Sequence, residues 1–262
     1  GILTSIPEFS VGLQAVSSQH PEIFVGNLLG GIVVLFLVAI PILAVLGNGI
    51  NLRQELNNKT LLAAFGVILA PSLFILDKKI TTLEGALFVI FYIALLFFVE
   101  RKNGIFDRNN KQLFNIRAYS YKDILRMLLG IGIVFVSSAV IVDKTIYFAN
   151  LFNVSAFYIS LFVIALGTNL PELSLAIRSA ISKKREIAMG DYMGSAAANT
   201  LLFGVFTLLS GGEVLTANNF IFTFLFIITA LSFFYFFFRT KNYISRRNGL
   251  LLLGIYVIYY KG

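Results

Sequence analysis

The sequence has no cysteine, no tryptophan and one histidine, His20, and only 13% of its 262 residues are charged. The lack of cysteine excludes disulfide frameworks, thiolate zinc sites and cysteine nucleophiles. A single histidine leaves little for histidine-based metal binding or acid–base catalysis. The charged share is about half that of an average soluble domain. In its place the chain carries 58% hydrophobic residues and a mean hydropathy of +0.85. A soluble domain of this length could not hide so much Phe, Leu and Ile and still present a polar surface. An intrinsically disordered chain is excluded on the same ground. The formal charge of +8 would point to nucleic acid if the basic residues shared one soluble face. They are instead scattered in short clusters between apolar runs, so a bilayer is the expected partner and nucleic acid is not. Residue 1 is Gly rather than Met, and the N-terminus reads as incomplete.

A hydrocarbon core of about 30 Å takes roughly 20 apolar residues as helix. Nine segments approach or exceed that: 2–17, 22–46, 59–77, 80–100, 121–143, 154–180, 187–209, 218–238 and 248–260. The first and last are short. Continuous runs such as Phe220–Phe238 show no period-2 alternation, which argues against a β-barrel. The connections after the second, fourth, sixth and eighth spans, with Arg126, hold 17 of the 21 Lys and Arg residues. Lys78, Lys79, Lys144 and Lys261 fall on the other side. The positive-inside rule makes the rich side cytoplasmic, as expected for a plasma (inner) membrane. Residues 1–100 then form a first half and 121–262 a second. The polar, basic stretch 101–120 is read as a cytoplasmic linker, too short to fold alone.

The two halves share a motif. Thr4–Gly31 aligns without a gap to Thr168–Ser195, pairing Thr4 with Thr168, Pro7 with Pro171, Glu8 with Glu172 and Ser10 with Ser174. The same register pairs Ser18 with Ser182, Glu22 with Glu186, Gly26 with Gly190 and Gly30 with Gly194. The matched types are Pro, Gly, Thr, Ser and Glu, not the abundant Leu, Ile and Phe that coincidence would pair. The turn of the first copy, near His20, falls outside, and that of the second, Lys183–Arg185, falls inside. The two units therefore enter the membrane in opposite directions. Inverted repeats with broken helices and a midplane site are typical of secondary transporters. The expected fold is thus an all-α membrane protein of about nine transmembrane helices, in two inverted-topology repeats with interrupted helices.

Pro171 removes a backbone donor inside the sixth span, and Gly167 weakens the turn before it. The helix is expected to break there and free carbonyl oxygens, with Thr168 and Asn169 adding side-chain oxygens. Thr4, Ser5 and Pro7 do the same in the first span. Oxygen ligands of this kind suit hard cations. Glu8 and Glu172 lie eight or nine residues from their span ends, near mid-bilayer at 1.5 Å per residue. An ionised side chain there costs at least about 2.5 kcal/mol, so a functional reading is the default. Two such carboxylates together suit one divalent ion, two monovalent ions or protons. Asp191, Ser195 and Asn199 recur every four residues and share a helix face. Ser195 and Asn199 are deep enough to ligate an ion, while Asp191 lies about one turn inside and could instead line the inner vestibule. The matching face of the second span, Asn27, Gly31 and Leu35, is poorer in oxygen. Gly26-x-x-x-Gly30 and Gly190-x-x-x-Gly194 read chiefly as close helix packing. Glu84, Asp143 and His20 fall near the outer edge and read as solvated.

These residues resemble the calcium/cation antiporter superfamily, in particular its sodium/calcium exchanger branch. Its two inverted repeats read roughly GTSLPE and then GN-x-x-GSN-x-x-(N or D). Here the second copy is Gly167-Thr168-Asn169-Leu170-Pro171-Glu172 followed by Gly190-Asp191 and Gly194-Ser195-Ala196-Ala197-Ala198-Asn199. The first is Leu3-Thr4-Ser5-Ile6-Pro7-Glu8 followed by Gly26-Asn27 and Gly30-Gly31-Ile32-Val33-Val34-Leu35. Members commonly have ten spans, so the resemblance implies that an opening helix and half of the next are absent. It also implies cation ligation by Glu8, Glu172, Thr4, Thr168, Ser195 and Asn199, with transported calcium and sodium rather than a resident cofactor. Gly31 and Leu35 stand where the family has Ser and Asn, which puts sodium stoichiometry and calcium selectivity in question. The expected function is secondary antiport of calcium or a similar cation against sodium. Sliding of the remaining spans would expose the two-glutamate site to each side in turn. A cation/proton exchanger is the first alternative. A membrane enzyme using the two carboxylates as acid and base, or an inactive homologue, are further ones.

Overall fold

The computed structural model describes residues 4–51, 58–103, 121–182, 185–211, 213–215, 218–241 and 243–261. Among these, helices α1 (Ile6–Ser17) and α2 (Pro21–Val34) each carry a proline in the first turn, where no backbone donor is missed. Gln19 between them takes a left-handed φ of 59° and reverses the chain. A π-helical segment, Leu35–Ala39, carries α2 into α3 (Ile40–Leu46) without a turn. Asn48 and Gly49, with φ of 56° and 97°, end that span and lead into β1 (Ile50–Asn51). Next come α4 (Asn58–Phe74), β2 (Lys79–Ile80) and α5 (Thr82–Asn103).

The second half opens with α6 (Tyr121–Phe152), a helix of 32 residues. The sixth span is α7 (Ala156–Ile159), a second π segment at Ser160–Ile164, α8 (Ala165–Thr168) and α9 (Leu170–Ser182), with a 43° bend at Asn169. Then follow α10 (Arg185–Leu209), β3 (Val214–Leu215), α11 (Ile221–Lys241), β4 (Tyr243–Ile244) and α12 (Arg246–Lys261).

The helices fall within or across the segments expected as spans. Among the described residues, six are long and apolar enough to cross a membrane, and the bent sixth span makes a seventh. The first and last, α1 and α12, have 12 and 16 residues and fall short of that length. One boundary differs from expectation. The fifth span continues to Phe152 instead of ending at 143, because Asp143 and Lys144 are exposed on the helix and do not interrupt it. Residues 104–120 of the expected linker lie outside the described residues, while α5 runs on through Asn103.

The repeat extends well beyond the motif. Element starts at 6, 21, 50, 79 and 82 are matched at 170, 185, 214, 243 and 246, the same spacing that relates Thr4 to Thr168. The strands exploit this relation. β1 pairs antiparallel with β4 (Ile50 opposite Ile244), and β2 pairs with β3 (Ile80 opposite Val214). Each half therefore supplies one strand to each ladder, and the two ladders exchange places under the repeat.

Burial ranks the helices. Within its apolar stretch the α2–α3 rod is 89% buried and α6 only 11%, which makes one the core and the other a peripheral helix. α6 packs chiefly on α1 and α7. Around α2, the rings of Phe24, Phe88, Phe203 and Phe206 meet edge-on or tilted at 5.5–5.8 Å, a favourable aromatic geometry. Gly26 and Gly30 bring α2 against the sixth span. A Cβ on Gly26 would strike the Phe157 carbonyl, and one on Gly30 would strike the Leu161 carbonyl and the Ala165 methyl.

Candidate functional site

The broken span and α1 meet the α2 and α10 rods where the motif residues lie. Pro171 sits in the first turn of α9 and Pro7 in that of α1, so each chain entry precedes a helix N-terminus. Glu8 and Glu172 occupy those first turns, where the positive end of the helix dipole favours a carboxylate. Both are almost fully buried, at 2% and 1% exposure. Their carboxyls are close enough to interact electrostatically. Glu8 and Glu172 are thus buried within electrostatic reach of one another.

Each glutamate is served by the opposite repeat. The Thr168 hydroxyl lies beside the Glu8 carboxyl, and the Thr4 hydroxyl beside that of Glu172. Thr4 Oγ and Ser195 Oγ are 2.9 Å apart, and Ser195 donates to Glu172 Oε1 at 3.3 Å. On the other side Thr168 donates to Asn27 Oδ1 at 3.1 Å. Asn27 is fully buried and joins the site directly. Its place in the repeat opposite Asp191 was the signal for it. Asp191 is half-buried and near enough to Glu172 to act on its charge.

Glu8 Oε2, Glu172 Oε2 and Asn27 Nδ2 are buried without a hydrogen-bond partner. An unpaired buried carboxylate oxygen is costly. Two such oxygens flanked by threonine and serine hydroxyls form a hard-oxygen set that a cation would satisfy. Among the described residues no three His, Cys, Asp or Glu side chains cluster as a metal site, so two carboxylates and neutral oxygens are what this centre offers.

The break itself differs from expectation in one respect. The carbonyl of Ala165 is not freed: it accepts the Asn169 N–H at 3.3 Å and Asn169 Nδ2 at 2.8 Å. Asn169 therefore caps the broken helix with its nitrogen, and only its Oδ1 remains for a ligand. Asn199, fully within the core, likewise commits its Nδ2 to the Leu28 carbonyl at 3.3 Å. Tyr192 donates to the Glu172 carbonyl at 3.1 Å, and the residue matching it in the first repeat is Leu28. Ser5 is buried at the start of α1. Leu35 is fully buried and adds no oxygen.

Of the residues read as solvated, Asp143 is exposed, while Glu84 and His20 are half-buried and hydrogen-bonded. Glu84 accepts from the Thr81 backbone at 2.7 Å and its hydroxyl at 2.9 Å, capping α5. His20 Nδ1 contacts Glu22 Oε1 at 2.8 Å in the turn before α2. A largely apolar cavity of about 610 Å³ separates α6 from the break, and Pro7, Thr168 and Pro171 form part of its wall.

The family model described as sodium/calcium exchanger protein matches residues 1–100 and 122–260. The inner membrane protein YrbG of Escherichia coli is 24% identical over 220 residues, covering 80% of this chain and 67% of that protein. Among solved structures, the sodium-calcium exchanger NCX_Mj superposes with a TM-score of 0.73 at 23% identity, over 100% of this chain and 83% of its own. An H+/Ca2+ exchanger, CAX, superposes with a TM-score of 0.77 at 14% identity, over 98% of this chain and 70% of its own. At these identities the two structures speak for the fold.

Proposed function

The chain belongs to the sodium/calcium exchanger protein family, an integral-membrane cation exchanger rather than an enzyme, and on that premise we propose that it exchanges calcium or a similar divalent cation for sodium at a site formed by Glu8 and Glu172. The observation that carries this reading is the pair of buried glutamates, each with one oxygen lacking a hydrogen bond and each flanked by a threonine of the other repeat. Thr4, Ser5, Thr168, Asn169, Ser195, Asn199 and Asp191 complete the proposed set, and Asn27 joins it. Calcium takes six to eight oxygens in flexible geometry. Two carboxylates with these hydroxyls and amides can supply that without any one side chain moving far.

Cations are cargo here. One divalent ion neutralises both glutamates, and its departure leaves a charge that returning monovalent ions must cover before the empty site can cross a low-dielectric interior. The distribution of Lys and Arg supports a cytoplasmic side for the connections after even-numbered spans, in a plasma (inner) membrane. The basic stretch 101–120 then joins a first half, 1–100, to a second, 121–262.

Flux measurement in proteoliposomes tests the proposal. Labelled calcium should accumulate against an outward sodium gradient and collapse when sodium is equalised. Uptake that follows a proton gradient and ignores sodium would replace this reading with cation/proton exchange. Unchanged uptake after Glu8→Gln and Glu172→Gln would remove the two-glutamate site.

A further inference from the structure

The two sides of the site are unequal in a way that bears on how many cations it holds. Ser195 presents a hydroxyl to Glu172 and Thr4. Its counterpart in the first repeat is Gly31, and the space above Gly31 is not vacant. A Cβ there would lie 2.9 Å from Asn199 Nδ2 and 3.2 Å from Asn169 Nδ2. The orientation of both amides is fixed by their partners. Each Nδ2 faces a main-chain carbonyl, Leu28 O for Asn199 and Ala165 O for Asn169, and a carbonyl can only accept. Gly31's own carbonyl is engaged by the Leu35 N–H.

We infer that Asn169 and Asn199 plug the first-repeat side of the site with N–H donors, so that no cation binds beside Gly31 and the site carries one divalent ion or at most two sodium ions. A methyl group at Gly31 would have to displace the two amides, and the N–H groups bounding that space carry positive partial charge. A cation needs oxygens at about 2.3–2.6 Å in the case of calcium. Glu8, Glu172, Thr4, Thr168, Ser195 and Asn27 then form the centre of cation ligation, to which Asn169 and Asn199 can add only their Oδ1. Asn169 stands where the first repeat has Ser5, a shorter side chain that would not reach across. The plug is thus a specificity-determining feature of one repeat. The inference rests on the cation-exchange reading above.

Calcium binding to the purified protein, measured by equilibrium dialysis across a sodium series, counts the competing ions by mass action. We expect one calcium per chain and an apparent Kd that rises by no more than about 100-fold for each tenfold rise in sodium. A rise of about 1,000-fold per decade means three sodium ions displace one calcium and overturns the inference. Asn169→Ser combined with Asn199→Ser replaces both donors with hydroxyl oxygens and should raise the sodium dependence by about tenfold per decade, one further ion. Asn169→Ser alone is the milder variant. A folded double variant with unchanged sodium dependence overturns the assignment of the plug to these side chains. Where neither variant folds, the unsubstituted protein's slope still decides. Failure of calcium to bind at all defeats the exchange reading itself, an outcome distinct from a steep sodium slope.

Discussion

Thr4 and Thr168 hold matching places in the two repeats, yet their surroundings have diverged. Thr4 meets Ser195 on α10, while Thr168 meets Asn27 on α2. Glycine occupies the first-repeat counterpart of Ser195, and an aspartate the second-repeat counterpart of Asn27. The backbone frame is shared so closely that β1 and β3, and β2 and β4, start at matching positions. Symmetry is thus kept where it builds the frame and relaxed where side chains face the site. On the proposed reading both glutamates serve the cargo, and the neutral groups around them can differ because a flexible oxygen set tolerates exchange of one ligand for another.

The largest expected effect falls on the elements the repeats share. Glu8→Gln or Glu172→Gln should each weaken calcium binding by about 100-fold or more, roughly 3 kcal/mol, since each removes half of the carboxylate charge. Cation-titrated thermal shifts provide the measure, because binding to the folded state raises stability with ligand concentration. Loss from only one of the two would show that the site leans on a single repeat.

Asn199→Ala sharpens the comparison from the second-repeat side. It deletes an amide that donates to Leu28 O, a carbonyl that keeps its bond within α2, at a cost of about 0.5–1.5 kcal/mol. Stability without calcium should fall by that amount, and calcium-induced stabilisation should shrink as well if Oδ1 ligates. An undiminished calcium response would restrict Asn199 to the plug.

Gly30→Ala tests the frame. The added methyl would meet the Leu161 carbonyl and the Ala165 side chain, so α2 would have to separate from the broken span, at about 1–3 kcal/mol. Gly132→Ala on α6, with open space around it, should be neutral or slightly stabilising. Denaturation in detergent, comparing the two, reports which face of which helix is packed.

Much of this was legible in the sequence because membrane helices must satisfy their own backbone and therefore show as apolar runs. The succession of apolar helices and the break at Asn169 follow from hydropathy and Pro171, and the repeat pairs Glu8 with Glu172. Other features left weaker traces. Asp143-Lys144 resembled a span end, yet both side chains are exposed and α6 continues past them. The two-residue strands are too short for any period to register, and they depend on partners some 135 or more residues away. The π segments at Leu35–Ala39 and Ser160–Ile164 hold no proline or glycine to announce them. At Gly31 the sequence showed a missing oxygen. It could not show that two asparagines from the other repeat fill the gap, because that contact exists only once the halves are packed.

The smallest expected effect separates a structural glutamate from a transporting one. Glu84 is a carboxylate in the first turn of α5, accepting from the Thr81 N–H and hydroxyl, while the Glu84 N–H donates to the Thr81 hydroxyl oxygen at 3.3 Å. This reciprocal capping box satisfies donors that the first helical turn would otherwise leave open. Glu84→Ala should therefore lower stability by about 0.5–2 kcal/mol, the usual cost of a lost cap. Calcium binding and sodium competition should stay unchanged, since its partners belong to the cap and none to the site. Glu84→Gln should retain most of the stability, because its amide oxygen can still accept both bonds. Altered calcium affinity in a folded Glu84→Gln protein would mean that the outer end of α5 contributes to the ion path, and the contrast drawn between frame and site would have to be redrawn there.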